Sequence, residues 1–477
     1  MKKTASIFAL FSLLSVISLI GKDTNIARAS ETGIIINSAV ILASSTDNKK
    51  SDKDSQAAKK DIGSKNEDKE LSELGKLSKK LALQMIKGEF KETYNTLSVG
   101  AKQQLTLEYL EQVWNDVVTD LGSYKGIRSI TEEKVKTNTV VNVILNYDNC
   151  GMLIQFSYNT YKKLDGLWIT YAPYEPEPVS NKYFEETIIT FGDKKKPIKG
   201  ILTLPKNVKK PPVAILVPGS GDHDADESIA VNKPFRDLAH GLAKQGIAVI
   251  RYNESTPLSS KPEFTIQDDS LNDAAQAIKY AKTLKSVDKN RIYIIGHSLG
   301  GMMAPKIAAD NKEVKGIVCL AGSPRKLEDI IVDQTRKMLE ADKSVTPEML
   351  KIYMAQLRPA VNKIKELKEG STEIIFNYPA SYWYSLNQID IPKIVKKLNI
   401  PIFIAQGSED FQVFADIDYE AWKDILKNKN NVTFKLYDNL NHLFMKSNGR
   451  TDVTEYSIKG TVDSRVINDI VKWIKKN

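Results

Sequence analysis

Apolar positions along this chain repeat with two periods, and the change of period marks a change of architecture. Leu74, Leu77, Leu81 and Met85 are spaced by three or four, as are Leu107, Leu110, Trp114, Val117 and Leu121. Each set forms one face of an amphipathic helix. The period then drops to two: Val141, Val143, Leu145 and Tyr147 alternate with Asn142, Ile144 and Asn146, and Met152, Ile154, Phe156 and Tyr158 continue the pattern. Asp165-Gly166 reads as a turn into a third strand at Leu167-Trp168-Ile169. Helices followed by antiparallel strands predict a small α+β module over 71–172. Its aromatics (Trp114, Phe156, Tyr158 and Trp168) are read as core, because no set of acid, base and nucleophile accompanies them.

Beyond the Pro-rich joint Tyr174–Val179 the pattern becomes strand and helix in alternation, predicting a second domain over 180–477. Strands are expected at Glu186–Phe191, Lys199–Leu204, Val213–Val217, Ile247–Tyr252, Ile292–Ile295, Gly316–Leu320, Ile402–Ala405 and Val432–Tyr437. Helical patterns fall at Pro234–Gln245, Leu271–Lys285, Leu299–Asp310, Tyr419–Lys427 and Val466–Lys475. Near-continuous Val/Ile/Leu runs between helices predict a mainly parallel eight-stranded sheet covered on both faces. The first two strands, joined through Lys194–Pro197, read as an antiparallel edge hairpin. Pro305 lies inside the helix at Leu299–Asp310, where its missing N–H predicts a kink.

The alternation breaks between Leu320 and Ile402. Helical patterns at Leu327–Leu339 and Pro347–Leu367 precede the aromatic cluster Tyr378–Tyr384. A long insertion on the carboxyl side of such a sheet is a place for a lid, here about 324–390. Lid core and acyl-pocket lining are equally open readings of the aromatics.

Composition alters this picture only at the ends. With 42% hydrophobic residues in 477, the chain has enough to bury a sizeable core. The formal charge of +9 comes from scattered lysines with no basic stripe interleaved with aromatics, which argues against nucleic-acid binding. It allows weak attraction to an anionic cell-wall or membrane surface. Residues 1–29 read as a signal peptide: Lys2 and Lys3, an apolar segment Ile7–Ile20 too short to span a membrane, and Ala27-Arg28-Ala29 before Ser30. A secreted protein is expected. Residues 30–70 read as a disordered linker, almost free of apolar residues from Asp47 to Glu70, after an apolar patch at Gly33–Ala43 that this reading leaves open. Cys150 and Cys319 fall in different predicted domains, so neither a disulfide framework nor a cysteine or zinc site is expected.

The chemistry centres on Gly296-His297-Ser298-Leu299-Gly300, set between an apolar β-branched run and a helical one. A Gly-x-Ser-x-Gly turn there is a nucleophile elbow, a strained strand-to-helix bend that exposes a serine hydroxyl. Serine needs a base, and the base an orienting acid. Of His223, His240, His297 and His442, only His442 follows Ser298 with room for an acid-bearing strand between them. His297, inside the elbow, is expected to turn away from the hydroxyl, and His240, mid-helix, to be structural. Asp410, three residues after the glycine that ends the Ile402 strand, is the preferred acid, with Glu409 and Asp438 as rivals. The oxyanion site is expected to combine the Leu299 amide with that of Ser220 in the loop Pro218-Gly219-Ser220-Gly221.

Taken together, Val217–Asp222, Asn232–Leu238, Gly246–Tyr252, Gly296–Gly301, Gly407–Val413 and Leu440–Phe444 resemble the bacterial α/β-hydrolase superfamily, near its dienelactone-hydrolase-like and serine-aminopeptidase-like esterases. The resemblance implies an α/β-hydrolase fold and a serine esterase acting on a small-molecule ester without metal or cofactor. A serine peptidase on the same triad and a non-catalytic surface-binding protein are the rival readings. Enzymes of similar pattern often carry Asp-Lys-Arg where this chain has Asn253-Glu254-Ser255. The front module, through Gly88-Glu89-Phe90 and the helix from Trp114 to Gly122, resembles an uncharacterised domain found ahead of secreted bacterial hydrolases. That domain is similar to the nuclear-transport-factor-two-like fold.

Overall fold

A computed structural model describes residues 71–118, 121–148, 151–172, 178–256 and 263–477. The expected signal peptide, the linker with its apolar patch, Cys150 and most of the Pro-rich joint lie outside the described residues. The chain divides into two compact units, whose described residues end at Ala172 and resume at Pro178.

The first unit opens with α1 (Glu73–Ile86), α2 (Lys91–Thr96), α3 (Val99–Gln104) and α4 (Leu107–Val118). Ser72 caps α1 by accepting the Gly75 N–H at 3.1 Å. An antiparallel meander follows: β1 (Tyr124–Val135), β2 (Asn138–Tyr147), β3 (Gly151–Tyr158) and β4 (Leu164–Ala172). The period-two face buries Val141, Val143, Leu145, Met152, Ile154 and Phe156 in one cluster with Leu81, Met85, Leu110 and Trp114. Buried Ser78 and Tyr158 join their hydroxyls at 2.9 Å.

Three expectations needed correction here. Strand β1 escaped notice because it is an edge strand whose exposed positions carry Lys, Glu and Val in no clean alternation. The turn before the last strand lies at Asn159–Lys163, not at Asp165-Gly166, which is already inside β4. Asn159 stabilises that turn by accepting the Tyr161 and Lys163 amides, each at 3.0 Å. Trp168 is only half-buried and lies over Gly166, whereas Trp114, Phe156 and Tyr158 are core.

The second unit begins with the hairpin β5 (Phe184–Asp193) and β6 (Lys196–Pro205), then β7 (Val213–Val217), α5 (Pro234–Lys244), β8 (Ala248–Tyr252), α6 (Asn272–Thr283), β9 (Ile292–His297), α7 (Leu299–Asp310) and β10 (Val314–Leu320). The insertion carries α8 (Leu327–Ala341), α9 (Pro347–Glu366), α10 (Ala380–Asn387) and α11 (Ile391–Lys397). β11 (Ile402–Gly407), α12 (Glu420–Leu426), β12 (Val432–Tyr437) and α13 (Ser464–Lys476) complete it. The eight strands are ordered β12-β11-β10-β9-β7-β8-β6-β5. β12 through β8 are mutually parallel, and the β5–β6 hairpin closes one edge antiparallel.

Alternation along β7 shows how the sheet is sandwiched. Val213, Ile215 and Val217 join the core that includes Ala277, Met303 and Trp383, while Ala214 and Leu216 join the core with Phe235, Leu238 and Ile470. Helix α7 is continuous through Pro305. In the lid, Tyr378 and Tyr382 stack at 4.4 Å, and the Trp383 indole donates to the Ile375 carbonyl at 2.8 Å. These three rings are buried and contribute nothing to the pocket wall at Ser298, so lid core is the reading that holds.

A buried charge cluster pins the edge hairpin to the loop after β7. Arg251, fully buried on β8, donates from Nη1 to Glu186 at 2.8 Å and Thr203 at 2.8 Å, and from Nε to Asp226 at 2.9 Å. His240 reaches the same Glu186 oxygen at 3.0 Å, in keeping with a structural role. Burial works to raise the Glu186 carboxyl, but the His240 bond and the Arg251 charge outweigh it and bring it down to about 2. Removing the cation would strand two carboxylates in the interior. Arg251→Met should therefore cost about 3–5 kcal/mol, measured by denaturant unfolding.

Candidate active site

The site lies at the carboxyl ends of the parallel strands, where loops from β7, β9, β11 and β12 converge. Ser298 follows β9 and precedes α7 with φ 51° and ψ −115°, a left-handed backbone that a serine rarely adopts. Packing enforces it: a Cβ on Gly296 would stand 2.1 Å from the Gly300 carbonyl oxygen, and one on Gly300 would stand 2.2 Å from that of Val217. The bend leaves Ser298 half-buried, while both of its neighbours are buried. Its own N–H is tied to the Leu320 carbonyl on the adjacent strand at 2.8 Å.

Five residues proposed from the sequence come together here. Ser298, Leu299, Ser220 and His442 line one pocket, and Asp410 accepts a bond from His442 Nδ1 at 2.7 Å. Asp410 is fixed on all sides: its Oδ1 takes the Gln412 and Val413 amides at 2.8 and 2.9 Å, and Oδ2 also takes the Gln406 amide at 2.7 Å. Its rivals are elsewhere, since Glu409 and Asp438 are exposed and Glu409 meets only the Ser408 hydroxyl with its side chain. The loops that carry Asp410 and His442 touch at Gly407, where a Cβ would lie 2.3 Å from the Leu440 carbonyl oxygen.

Leu299 is the first residue of α7, so its N–H has no carbonyl four residues back within the helix. In the β7 loop, the Gly219 N–H donates to Glu227 at 2.7 Å, which leaves Ser220 as the loop's next amide. The Ser220 carbonyl points the other way and accepts from His223 at 3.0 Å. The wall also holds the apolar side chains Ile229, Met302, Leu327, Ile330 and Val413 beside the polar Ser323, Gln334, Gln412 and Tyr456, with α8 of the insertion supplying Leu327, Ile330 and Gln334.

Sequence reasoning missed Glu227. It lines the pocket, is fully buried, and meets His297 Nδ1 at 2.9 Å as well as the Gly219 amide. His297 itself lines the same pocket, engaged at both ring nitrogens. The pairing spans seventy residues and leaves no spacing signal in the sequence.

The comparisons with known proteins follow this geometry. Residues 231–448 match the family described as Serine aminopeptidase, S33, and residues 78–167 match a family described only as a protein of unknown function, DUF3887. Esterase EstD of Thermotoga maritima is 32% identical over 394 residues, covering 81% of this chain and 92% of that protein. The chain belongs to the α/β-hydrolase superfamily. Among solved structures, Est1E from Butyrivibrio proteoclasticus aligns over 61% of this chain and 99% of its own, with 17% identity and a TM-score of 0.41. The esterase domain of a Rhodothermus marinus protein gives 14% identity over 61% of this chain and 98% of its own, with a TM-score of 0.38.

Asn253 and Glu254 brace the β7 loop, and Ser255 ties the same segment to α6. Asn253 accepts the Ala225 amide at 2.8 Å, Glu254 accepts the His223 amide at 2.7 Å, and Ser255 donates its hydroxyl to Asp273 at 2.6 Å. Carboxyl groups accumulate behind them. Burial, chiefly, together with the charges of Asp222, Asp273 and Asp268, pushes Asp269 up to about 8, although its bond with the Tyr382 hydroxyl pulls the other way. Burial and Asp269 raise Glu254 well above the carboxyl range.

A carboxyl that holds its proton more tightly when folded favours the fold below the ordinary carboxyl range. That contribution declines as pH rises and is gone above about 8. Asp269→Asn should therefore lose less melting temperature than the unaltered protein between about pH 5 and about pH 8. Calorimetric scans of both across that range provide the check.

Proposed function

We propose that this carboxylic ester hydrolase works through Ser298, His442 and Asp410 by way of an acyl-enzyme. Ser298 Oγ attacks the ester carbonyl while His442 Nε2 takes the hydroxyl proton. Asp410 holds the imidazole through Nδ1–H and favours the imidazolium that forms. The amides of Ser220 and Leu299 receive the oxyanion, each such donor being worth about 2.7–4 kcal/mol of transition-state stabilisation. Collapse of the tetrahedral intermediate expels the alcohol, protonated by His442. Water, deprotonated by the same ring, then cleaves the acyl-serine, releasing the acid and restoring Ser298. The observation that carries this reading is the 2.7 Å His442–Asp410 bond beside a serine held in a left-handed bend.

The mainly apolar wall of Met302, Leu327, Ile330 and Val413 suits an uncharged acyl group. The enzyme is read as exported, with residues 1–29 removed as a signal peptide, on the strength of the Lys2-Lys3 start, the Ile7–Ile20 apolar segment and Ala27-Arg28-Ala29. The match to the serine aminopeptidase family supports a second reading in which the same residues cleave an aminoacyl amide.

Short-chain p-nitrophenyl esters and aminoacyl p-nitroanilides, offered to the purified protein and to Ser298→Ala, separate these readings. Ester turnover should dominate, and the variant should lose about 10⁴-fold or more in kcat/KM. Faster anilide turnover would favour the peptidase, and equal activity of the two proteins would remove Ser298 from the reaction.

A further inference from the structure

Glu227 and His297 have no part in the proposed reaction, yet both are buried in the wall of its pocket. Glu227 adopts φ 49°, a left-handed conformation that a residue with a long side chain keeps only when its surroundings hold it. What holds it is a chain of contacts that runs from its own loop through His297 to the loop of His442. Glu227 Oε1 accepts the Gly219 N–H of the β7 loop at 2.7 Å and faces His297 Nδ1 of the elbow at 2.9 Å. The other nitrogen of that ring, Nε2, lies 3.0 Å from the backbone carbonyl of His442 in the base loop.

The hydrogen bonds suit a charged pair. With Glu227 ionised, Oε1 only accepts, from the Gly219 amide and from Nδ1 alike. A carbonyl only accepts, so Nε2 donates as well. A ring that donates from both nitrogens is an imidazolium, here paired with a carboxylate. Around it, Asp410 adds a second negative charge, the His442 ring stands 4.8 Å away between centroids, and His223 faces Glu227. Burial opposes a charged imidazole, but the Glu227 charge, its hydrogen bond, the His442 carbonyl and Asp410 together raise His297. The reciprocal effect lowers Glu227 despite its burial.

We propose that Glu227 is a positioning residue, whose carboxylate joins the oxyanion loop, the nucleophile elbow and the base loop into one unit by holding His297 as an imidazolium. The proposal rests on the roles given above to Ser298, His442 and the Ser220 amide. With Gly219 turned toward Glu227, the following amide, that of Ser220, is set for the oxyanion. With the His442 carbonyl held, the backbone that carries the base is fixed relative to Ser298. Displacement of such groups by about 1 Å costs on the order of 10²-fold in rate without changing what the pocket binds.

Glu227→Gln is the test, because it keeps the size and the acceptor but removes the charge. For p-nitrophenyl butyrate, kcat should fall about 10²-fold while KM stays within about twofold. With only four histidines in the chain, ¹⁵N-histidine labelling of the full-length protein reads the ring directly. His297 should carry protons on both nitrogens at about pH 7 in the unaltered protein and on one in the variant. Wild-type kcat in Glu227→Gln, alongside an inactive Ser298→Ala, would overturn the proposal and leave the triad standing. Activity retained by Ser298→Ala would instead overturn the triad. A singly protonated His297 in the unaltered protein would overturn the proposal even if the variant did not fold.

Discussion

The bend at Ser298 is the constraint on which the rest of the site depends. A serine in the left-handed region is strained, at a cost of order 1–3 kcal/mol, and it stays there because the chain on either side has nowhere else to go. Gly296 and Gly300 lie against each other and against the end of β7 at distances that exclude a methyl group. The same close approach brings the β7 loop beside the serine: a Cβ on Gly219 would stand 3.2 Å from that of Ser298. One packing event therefore exposes Ser298 and sets the loop at Gly219 next to it.

Charge does what packing does not. The loop from Gly219 to Asn232 has little regular structure, and beyond the burial of Ala225 and Ile229 its hold on the domain is ionic and polar. Arg251 anchors Asp226 from inside the sheet, Asn253 and Glu254 take its amides from the neighbouring strand end, and Glu227 turns inward to Gly219 and His297. Buried polar groups of this kind add little net stability when satisfied but penalise any other arrangement of the loop. The loops that carry His442 and Asp410 are joined by the same means, through Asp410, Gln406 and the close contact at Gly407.

Much of this was legible in the sequence, and the parts that were not share a physical reason. The five inner strands β7 to β11 were readable because parallel strands buried on both faces are written as near-continuous apolar runs. The elbow was readable because its glycines are demanded by local sterics within five residues. His442 was singled out by elimination, aided by the chain order expected of the superfamily, and it lies in one pocket with Ser298. Edge strand β1 was missed because an exposed strand need not alternate. The turn at Asn159–Lys163 was misplaced because an Asx turn lacks the strong Asp-Gly signature. Glu227 and the carboxyls around Asp269 were missed because their meaning lies wholly in contacts between distant segments.

Ser298 is the claim at the centre of this account, and one chemical reaction addresses it without assuming a substrate. A fluorophosphonate probe reacts with a serine that an adjacent base has activated, and peptide mapping by tandem mass spectrometry then locates the adduct. The account predicts one phosphonyl group per chain, carried on Ser298. A protein left unmodified, or an adduct on Ser220 or Ser323 with Ser298 free, would contradict it.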